Sequence, residues 1–151
     1  MPPVKYSPSL VRGDFRFDNF IVDEDGEIQA VLDWELSTLG APYADLAYQC
    51  AQWRLPAGEM RGLGGLDRRA LGIPTEQEYV DSYCRRRHLA GLPHWDFYLA
   101  ASLFRLAAIC QGIYRRGLEG NASNAAAPGF GRKTEVIAAV AVQIISDGKQ
   151  T

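Results

Sequence analysis

The sequence predicts an α+β fold that is mainly helical, with one small β-hairpin near the N-terminus and a helical bundle after it. Two short β-branched runs flank an Asp-Gly step early in the chain, which is a strong hairpin signal. After them, apolar residues recur at helical spacing. The 151 residues are 47% hydrophobic and 23% charged, enough apolar material to bury one core. We therefore expect a single domain over residues 1–151.

The predicted hairpin joins residues 20–22 to residues 28–32 through a turn at Asp25-Gly26. A two-residue turn pairs Asn19 with Leu32, and a three-residue turn pairs it with Asp33. Without a turn, an extended chain would separate Asn19 and Asp33 by about 45 Å. In either register the hairpin brings these two side chains to its open end, beside the loop that carries Asp14.

Four helices are predicted after the hairpin. Pro42 suits the first turn of a helix because its missing N–H costs nothing there, and Thr75 with Glu78 forms the sequence of a capping box. The third helix is apolar all round, which predicts the central buried helix of a bundle. The predicted helices cover residues 42–54, 75–88, 95–116 and 133–146, with a loop at 55–72.

Composition excludes several classes of function. A formal net charge of −2 provides no basic face for nucleic acid. Three cysteines without a Cys-x-x-Cys pair fit neither a disulfide framework nor a zinc site, so we interpret them as reduced core thiols of a cytoplasmic protein. We also expect no secretion signal and no membrane partner, because no stretch resembles a signal peptide or a membrane span.

Asp14 and Asn19 have the Asp-x-x-x-x-Asn spacing of a kinase catalytic loop, and Asp33 follows the second strand. In kinases the Asp accepts the proton of the substrate hydroxyl and the Asn binds Mg²⁺. The alternative is a solvated loop, because both residue types are common. The hairpin favours the functional interpretation, since carboxylate and amide oxygens that meet at one end suit Mg²⁺.

Three strings together resemble the aminoglycoside phosphotransferase and choline kinase superfamily. They are Val11-Arg12-Gly13-Asp14 leading to Asn19, the run 31–40 that contains Asp-Trp-Glu-Leu-Ser-Thr-Leu-Gly, and Asp45-Leu46-Ala47. The second string resembles a subgroup that includes kinase domains fused to acyl-CoA dehydrogenases. The resemblance implies a protein-kinase-like C-terminal lobe.

The resemblance also implies roles for five residues. Asp14 would be the catalytic base, and Asn19 and Asp33 would bind Mg²⁺ and through it the cofactor ATP. Asp45 would support the catalytic loop, although a first-turn Asp favoured by the helix dipole explains it equally well. Arg12 would also support the catalytic loop, but the family has His at this position, and a longer, permanently charged guanidinium cannot fill the same small place without rearrangement.

Other residues leave alternatives open. Trp34 is read as a core anchor under the hairpin, with a place near the substrate cleft as the alternative. Arg105 and Arg115 lie on the apolar third helix, where a buried arginine needs a partner such as Asp45 or Glu35.

Only thirteen residues precede Asp14, so we expect the N-terminal lobe that holds ATP to be absent from this chain. The first hypothesis is an ATP- and Mg²⁺-dependent kinase that phosphorylates a small-molecule hydroxyl and is inactive as the isolated chain. The second is a truncated or degenerate helical module that acts by self-association or through a partner chain. We expect a homodimer through the surface that the absent lobe would cover.

Overall fold

A computed structural model describes residues 7–148 of the chain. Within these residues the fold is mixed and mainly helical, as the sequence predicts. Four short strands lie in the first third, and four α-helices follow them. The strands are β1 (Ser9–Val11), β2 (Phe20–Val22), β3 (Ile28–Val31) and β4 (Thr38–Gly40); the helices are α1 (Tyr43–Arg54), α2 (Glu76–Arg86), α3 (Trp95–Leu118) and α4 (Phe130–Asp147).

The predicted hairpin is confirmed in strands β2 and β3, which pair antiparallel with Phe20 opposite Val31. Gly26 in the turn has φ +82°, a conformation that glycine adopts without steric cost. At the open end, the Leu32 amide donates to the Asn19 carbonyl at 2.8 Å. Asn19 therefore pairs with Leu32, and Asp33 is the next residue along the chain.

A second two-stranded sheet, which the sequence did not predict, lies beside the hairpin. Strands β1 and β4 pair antiparallel, with Leu10 opposite Leu39. Each strand has three residues and no turn joins them directly, so no local sequence pattern predicts the pairing. Residues 12–37 lie between these two strands, so the pairing brings the two ends of that segment next to each other.

The helix starts follow their local signals. Helix α1 begins directly after Pro42. Helix α2 begins with the complete capping box, in which the Glu78 amide donates to Thr75 Oγ1 at 3.2 Å and the Thr75 amide donates to Glu78 Oε2 at 2.8 Å. Helix α2 ends at Arg86, two residues earlier than predicted, because His88 adopts φ +54°.

The core lies where helix α3 packs against α1 and α4. Leu99, Leu103 and Ile137 are fully buried there, and the three cysteines are buried and free. Burial raises the pKa of the Cys50 thiol to about 12. The interpretation of the cysteines as core thiols is confirmed.

Helix α3 is not buried all round, which corrects the prediction. Phe104 is 72% exposed, and Phe97 and Ile109 are also exposed. Together with Val142 and Ile145 of α4, Phe97 and Phe104 line an apolar groove of about 900 Å³ between the two helices. Apolar residues on every face of a helix therefore do not mean that every face packs against another element.

The same helix also corrects the expectation about membrane spans. Among the described residues, α3 is long and apolar enough to cross a membrane by length and composition alone. In this fold its buried residues, including Leu99 and Leu103, belong to the common core with α1 and α4.

Two neighbouring residues of α3 test this distribution of burial. Leu103→Ala removes a fully buried side chain and should lower the free energy of unfolding by about 2–5 kcal/mol. Phe104→Ala, one position along on the exposed face, should change it by less than roughly 0.5 kcal/mol. Urea unfolding followed by circular dichroism measures both. Equal destabilisation by the two substitutions would mean that the exposed face of α3 is covered.

Candidate active site

The Asp45 carboxylate connects helix α1 to the predicted catalytic loop. Its Oδ2 accepts from the Arg12 amide at 2.6 Å, and its Oδ1 accepts from the Gly13 amide at 2.8 Å. Asp45 also lies in the first turn of α1, where the helix dipole favours a negative charge. Both interpretations of this residue are therefore compatible with its position, and the carboxylate fixes two successive amides just before Asp14.

Gly13 has a conformation and surroundings that only glycine tolerates. Its φ is +86°, and a Cβ atom added there would lie 2.7 Å from the Leu36 carbonyl oxygen. This close approach packs the predicted catalytic loop against the 3₁₀ turn Trp34–Leu36, which directly follows Asp33. Because residue 13 is glycine, the loop that carries Asp14 can lie directly against the turn that follows Asp33.

The Arg12 side chain turns towards strand β3 and is only 2% exposed. Its Nε donates to the Leu32 carbonyl at 2.8 Å, and its Nη2 donates to the same oxygen. The guanidinium therefore ties the loop to the residue that immediately precedes Asp33. This contact shows how a side chain longer than histidine is accommodated at this position.

Asp14 and Asn19 are in direct contact. The Asn19 Nδ2 donates to Asp14 Oδ2 at 2.8 Å and to the Asp14 carbonyl at 3.0 Å. Asn19 is buried, so its carboxamide has a fixed orientation. Because the nitrogen is used by Asp14, the oxygen is the atom with which Asn19 would bind a cation.

Asp33 lies at the end of β3, directly after the residue that pairs with Asn19. It is exposed and adopts the left-handed conformation, with φ +57° and ψ +61°. Such a conformation is uncommon for a residue other than glycine and is concentrated at functional sites. The backbone pairing thus brings Asp33 to the same end of the hairpin as Asn19 and Asp14.

The oxygen atoms at this end of the hairpin suit a magnesium ion whose coordination is completed by phosphate oxygens and water. No group of three or more His, Cys, Asp or Glu side chains able to hold a metal occurs in residues 7–148. Mg²⁺ in phosphoryl-transfer sites takes one or two carboxylates and completes its octahedron with phosphate oxygens and water. Asp33 and Asn19 would supply one carboxylate and one amide oxygen, and their roles as metal ligands stay predictions.

The sequence did not identify Tyr48 as a neighbour of Asp14, and it identified Arg105 but with the wrong partner. Tyr48 of α1 is buried, and its pKa is raised above the ordinary value, mostly by that burial and further by the nearby negative charge of Asp14. Arg105 of α3 donates through Nη1 to the Gly13 carbonyl. Tyr48 follows Asp45 by three residues, so the spacing places both on one helix face and could have identified it.

The carboxylate partners proposed for Arg105 and Arg115 were partly wrong. Arg105 binds a backbone carbonyl rather than Asp45 or Glu35, and Arg115 is exposed and pairs with Glu119 at 2.8 Å. The core interpretation of Trp34 was also wrong, because Trp34 is 45% exposed, with its Nε1 donating to the Val31 carbonyl at 2.7 Å.

Comparison with known proteins identifies similar sequences and one similar structure. The sequence profile of the phosphotransferase enzyme family matches residues 1–98. The chain is similar to a crystal structure from Ralstonia eutropha assigned as an aminoglycoside phosphotransferase, with 42% identity and a TM-score of 0.86. The match covers 93% of this chain and 43% of that one.

Two curated relatives are acyl-CoA dehydrogenase family members. The chain is 48% identical over 142 residues to family member 10 of Mus musculus, covering 92% of this chain and 13% of that protein. It is 40% identical over 126 residues to family member 11 of Homo sapiens, covering 82% of this chain and 16% of that protein. The chain thus spans less than a fifth of the length of these two relatives.

Two glycines with nearly the same φ test the close approach in the loop. Gly26→Ala should cost only the left-handed backbone penalty, about 1–2 kcal/mol, because nothing lies within 4 Å of the added Cβ. Gly13→Ala carries the same penalty and also the clash with the Leu36 carbonyl, so it should destabilise the fold more. Urea unfolding of both variants measures the difference. Equal losses would show that Gly13 does not approach the Leu36 carbonyl this closely.

The contribution of the Asp45 carboxylate can be measured separately. Asp45→Asn replaces one acceptor oxygen by an NH₂ group that faces a backbone N–H, so we expect a loss of about 2 kcal/mol in the free energy of unfolding. Hydrogen exchange at the Arg12 and Gly13 amides should become faster. Asp81→Asn on the exposed face of α2 is the matched control and should change neither quantity. Unchanged exchange at both amides in Asp45→Asn would refute the anchoring role.

Proposed function

This chain belongs to the phosphotransferase enzyme family, and on that basis we propose that it carries the catalytic loop of a kinase for a small-molecule hydroxyl. The reaction would transfer the γ-phosphoryl group of ATP in the presence of Mg²⁺. Asp14 would accept the proton of the acceptor hydroxyl, and Asn19 and Asp33 would bind the metal ion.

The observation that best supports the proposal is the fixed position of Asp14. The backbone before it is held by Asp45, and its carboxylate is held by the Asn19 amide at 2.8 Å. Phosphoryl transfer depends mostly on positioning and on charge stabilisation, with little covalent work for the protein. A carboxylate that is oriented from both its backbone and its side chain is suited to receive a proton from a bound hydroxyl.

The roles of Asn19 and Asp33 rest on the chemistry of their oxygens and on their shared place at the end of the hairpin. When bound, Mg²⁺ would neutralise charge on the phosphate oxygens. The exposed Asp33 carboxylate can approach such an ion from solvent, and the buried Asn19 presents its oxygen in a fixed direction.

The 151 residues contain no glycine-rich loop before the catalytic loop and no strand lysine of the kind that grips ATP in kinases. We therefore propose that tight nucleotide binding requires a longer polypeptide or a partner that supplies those parts. The acceptor is best sought among hydroxyl compounds, including aminoglycosides, choline, other amino alcohols and hydroxyacyl thioesters. The names of the mammalian relatives favour the hydroxyacyl class.

Asp14→Asn tests the proposed base. In a polypeptide that binds ATP and contains this chain, the substitution should lower the rate of phosphoryl transfer by roughly 10²–10⁴. The affinity for MgATP should stay the same, because the base contacts the acceptor hydroxyl. Asp18→Asn, in the same loop but exposed and paired with Arg16, is the matched control and should keep activity. Transfer to a panel of the four acceptor classes is followed with labelled ATP, and binding is followed by calorimetry.

Each other outcome has a distinct meaning. Full activity in Asp14→Asn would show that Asp14 is not the base. Tight MgATP binding without transfer to any acceptor, in the unsubstituted protein, would refute the kinase proposal. It would favour the non-catalytic module, for which the exposed apolar groove between α3 and α4 offers a surface.

A further inference from the structure

Helices α3 and α4 share an apolar face whose residues repeat at the spacing of a coiled coil. One row of exposed apolar residues on α3 is spaced by four, three and four positions, and one row on α4 by four and three. We call these rows the seams, and they consist of Phe97, Ala101, Phe104 and Ala108 on α3 and of Ala138, Val142 and Ile145 on α4. We propose that a second copy of this chain packs on this face, so that the two pairs of helices form an antiparallel four-helix bundle.

The α3 seam has the pattern of a packed helix without the burial that normally accompanies it. In a coiled coil, residues at this spacing face a partner helix, and each side chain enters a hole formed by residues of that helix. Here Phe97 and Phe104 are 54% and 72% exposed. The pattern therefore indicates a helical partner, and the proposed contact goes beyond the kinase reaction and does not depend on it.

The α3 seam is complementary to itself. A two-fold axis perpendicular to the helix, passing between residues 102 and 103, places Phe104 of one copy opposite Ala101 of the second copy. It also places Phe97 opposite Ala108. Every phenylalanine of the seam then faces an alanine, and large side chains opposite small ones allow two helices to interdigitate.

The ends of the α3 seam obey the same symmetry. The next positions in the repeat are His94, three residues before Phe97, and Gln111, three residues after Ala108. Both are exposed, and the same axis places them opposite each other. The apolar row is therefore bounded at each end by two polar side chains that can hydrogen bond to one another.

The position of the axis on α4 follows from how the two helices lie side by side. A Cβ added at Gly148 would lie 2.6 Å from Asp96 Oδ2, and one added at Gly117 would lie 2.8 Å from the Ala127 Cβ. The helices are therefore antiparallel, and in both pairs the two residue numbers add up to 244. An axis between residues 102 and 103 of α3 consequently passes α4 between residues 141 and 142.

The α4 seam is also self-complementary about this axis. Ala138 of one copy faces Ile145 of the second copy, which again places a small side chain opposite a large one. The two copies of Val142 lie next to each other at the axis. One axis thus satisfies both seams, and the groove of about 900 Å³ between them can receive the larger side chains of the second copy.

The exposed area of the face sets the strength of the contact. At about 200 Å² for a phenylalanine, Phe97 and Phe104 together expose about 250 Å². The seven seam residues expose on the order of 500 Å², at the upper end of the apolar patches of monomers and close to the roughly 600 Å² per chain of the smallest specific interfaces. We therefore expect a dissociation constant in the micromolar range.

Phe104→Glu tests the face by placing a carboxylate in the apolar contact, and it should raise the dissociation constant roughly tenfold or more. Val142→Glu on α4 should have the same effect. Leu39→Glu adds the same charge at a residue of β4 that is 75% exposed and outside the seams, so it should leave association unchanged. Sedimentation equilibrium from about 1 µM to about 200 µM brackets the expected constant, and circular dichroism shows that each variant is folded.

The register is tested by mixing two variants. Residue 104 of one copy faces residue 101 of the other, so Phe104→Glu mixed with Ala101→Lys should associate roughly tenfold more tightly than either variant alone. Ala108→Lys adds the same charge in the same seam but faces Phe97, so its mixture with Phe104→Glu should gain much less. Equal gains in the two mixtures would overturn the proposed pairing.

A second measurement relies on the link between association and folding. The urea midpoint of the unsubstituted chain should rise with protein concentration above the dissociation constant, and that of Phe104→Glu should not. Below this concentration the chains are separate, which is the condition under which Phe104→Ala leaves the free energy of unfolding nearly unchanged.

Two results would refute the second copy as the occupant of this face. A monomer over the whole concentration range would do so and would favour a helix from a longer polypeptide instead. A dimer that is weakened by Leu39→Glu but not by Phe104→Glu or Val142→Glu would place the contact among the strands.

Discussion

The Asp45 carboxylate, with its two hydrogen bonds to the Arg12 and Gly13 amides, is the interaction on which the loop that carries Asp14 depends. A loop with glycine at φ +86° does not keep its shape by local preference, because several other conformations are open to it. The two amides would otherwise compete for water or for other acceptors. A charged acceptor on a rigid helix selects one arrangement, and the position of Asp14 follows from it.

Three further supports reach the same short loop from different parts of the chain. Arg12 reaches the end of β3, Asn19 holds Asp14 from the start of β2, and Arg105 contacts Gly13 across 92 positions of sequence. None of these contacts contributes much apolar burial. Their common effect is to join the hairpin, α1 and α3 at one loop, so the helical core determines the geometry of polar groups at its edge.

Local signals in the sequence predicted local structure. The Asp-Gly turn and the Thr75–Glu78 capping box carry their own geometry, so the hairpin and the start of α2 could be predicted. Pairing of β1 with β4 could not, because it depends on residues far apart in the chain. The position of Arg105 on a largely apolar helix indicated that it needs a partner, but only the fold identifies the Gly13 carbonyl. Tyr48 is marked only by its spacing of three residues from Asp45, and a tyrosine on a buried helix usually serves packing.

The buried position of Arg12 has a consequence for the choice of residue there. Its guanidinium directs two N–H groups, on Nε and Nη2, at the one Leu32 carbonyl oxygen. Such a planar fork is specific to arginine, because a lysine ammonium is a compact charge on a flexible stem. Lysine at this position would keep the positive charge and lose the fixed pair of donors. The shape of the side chain, and not its charge alone, therefore joins the loop to the end of β3.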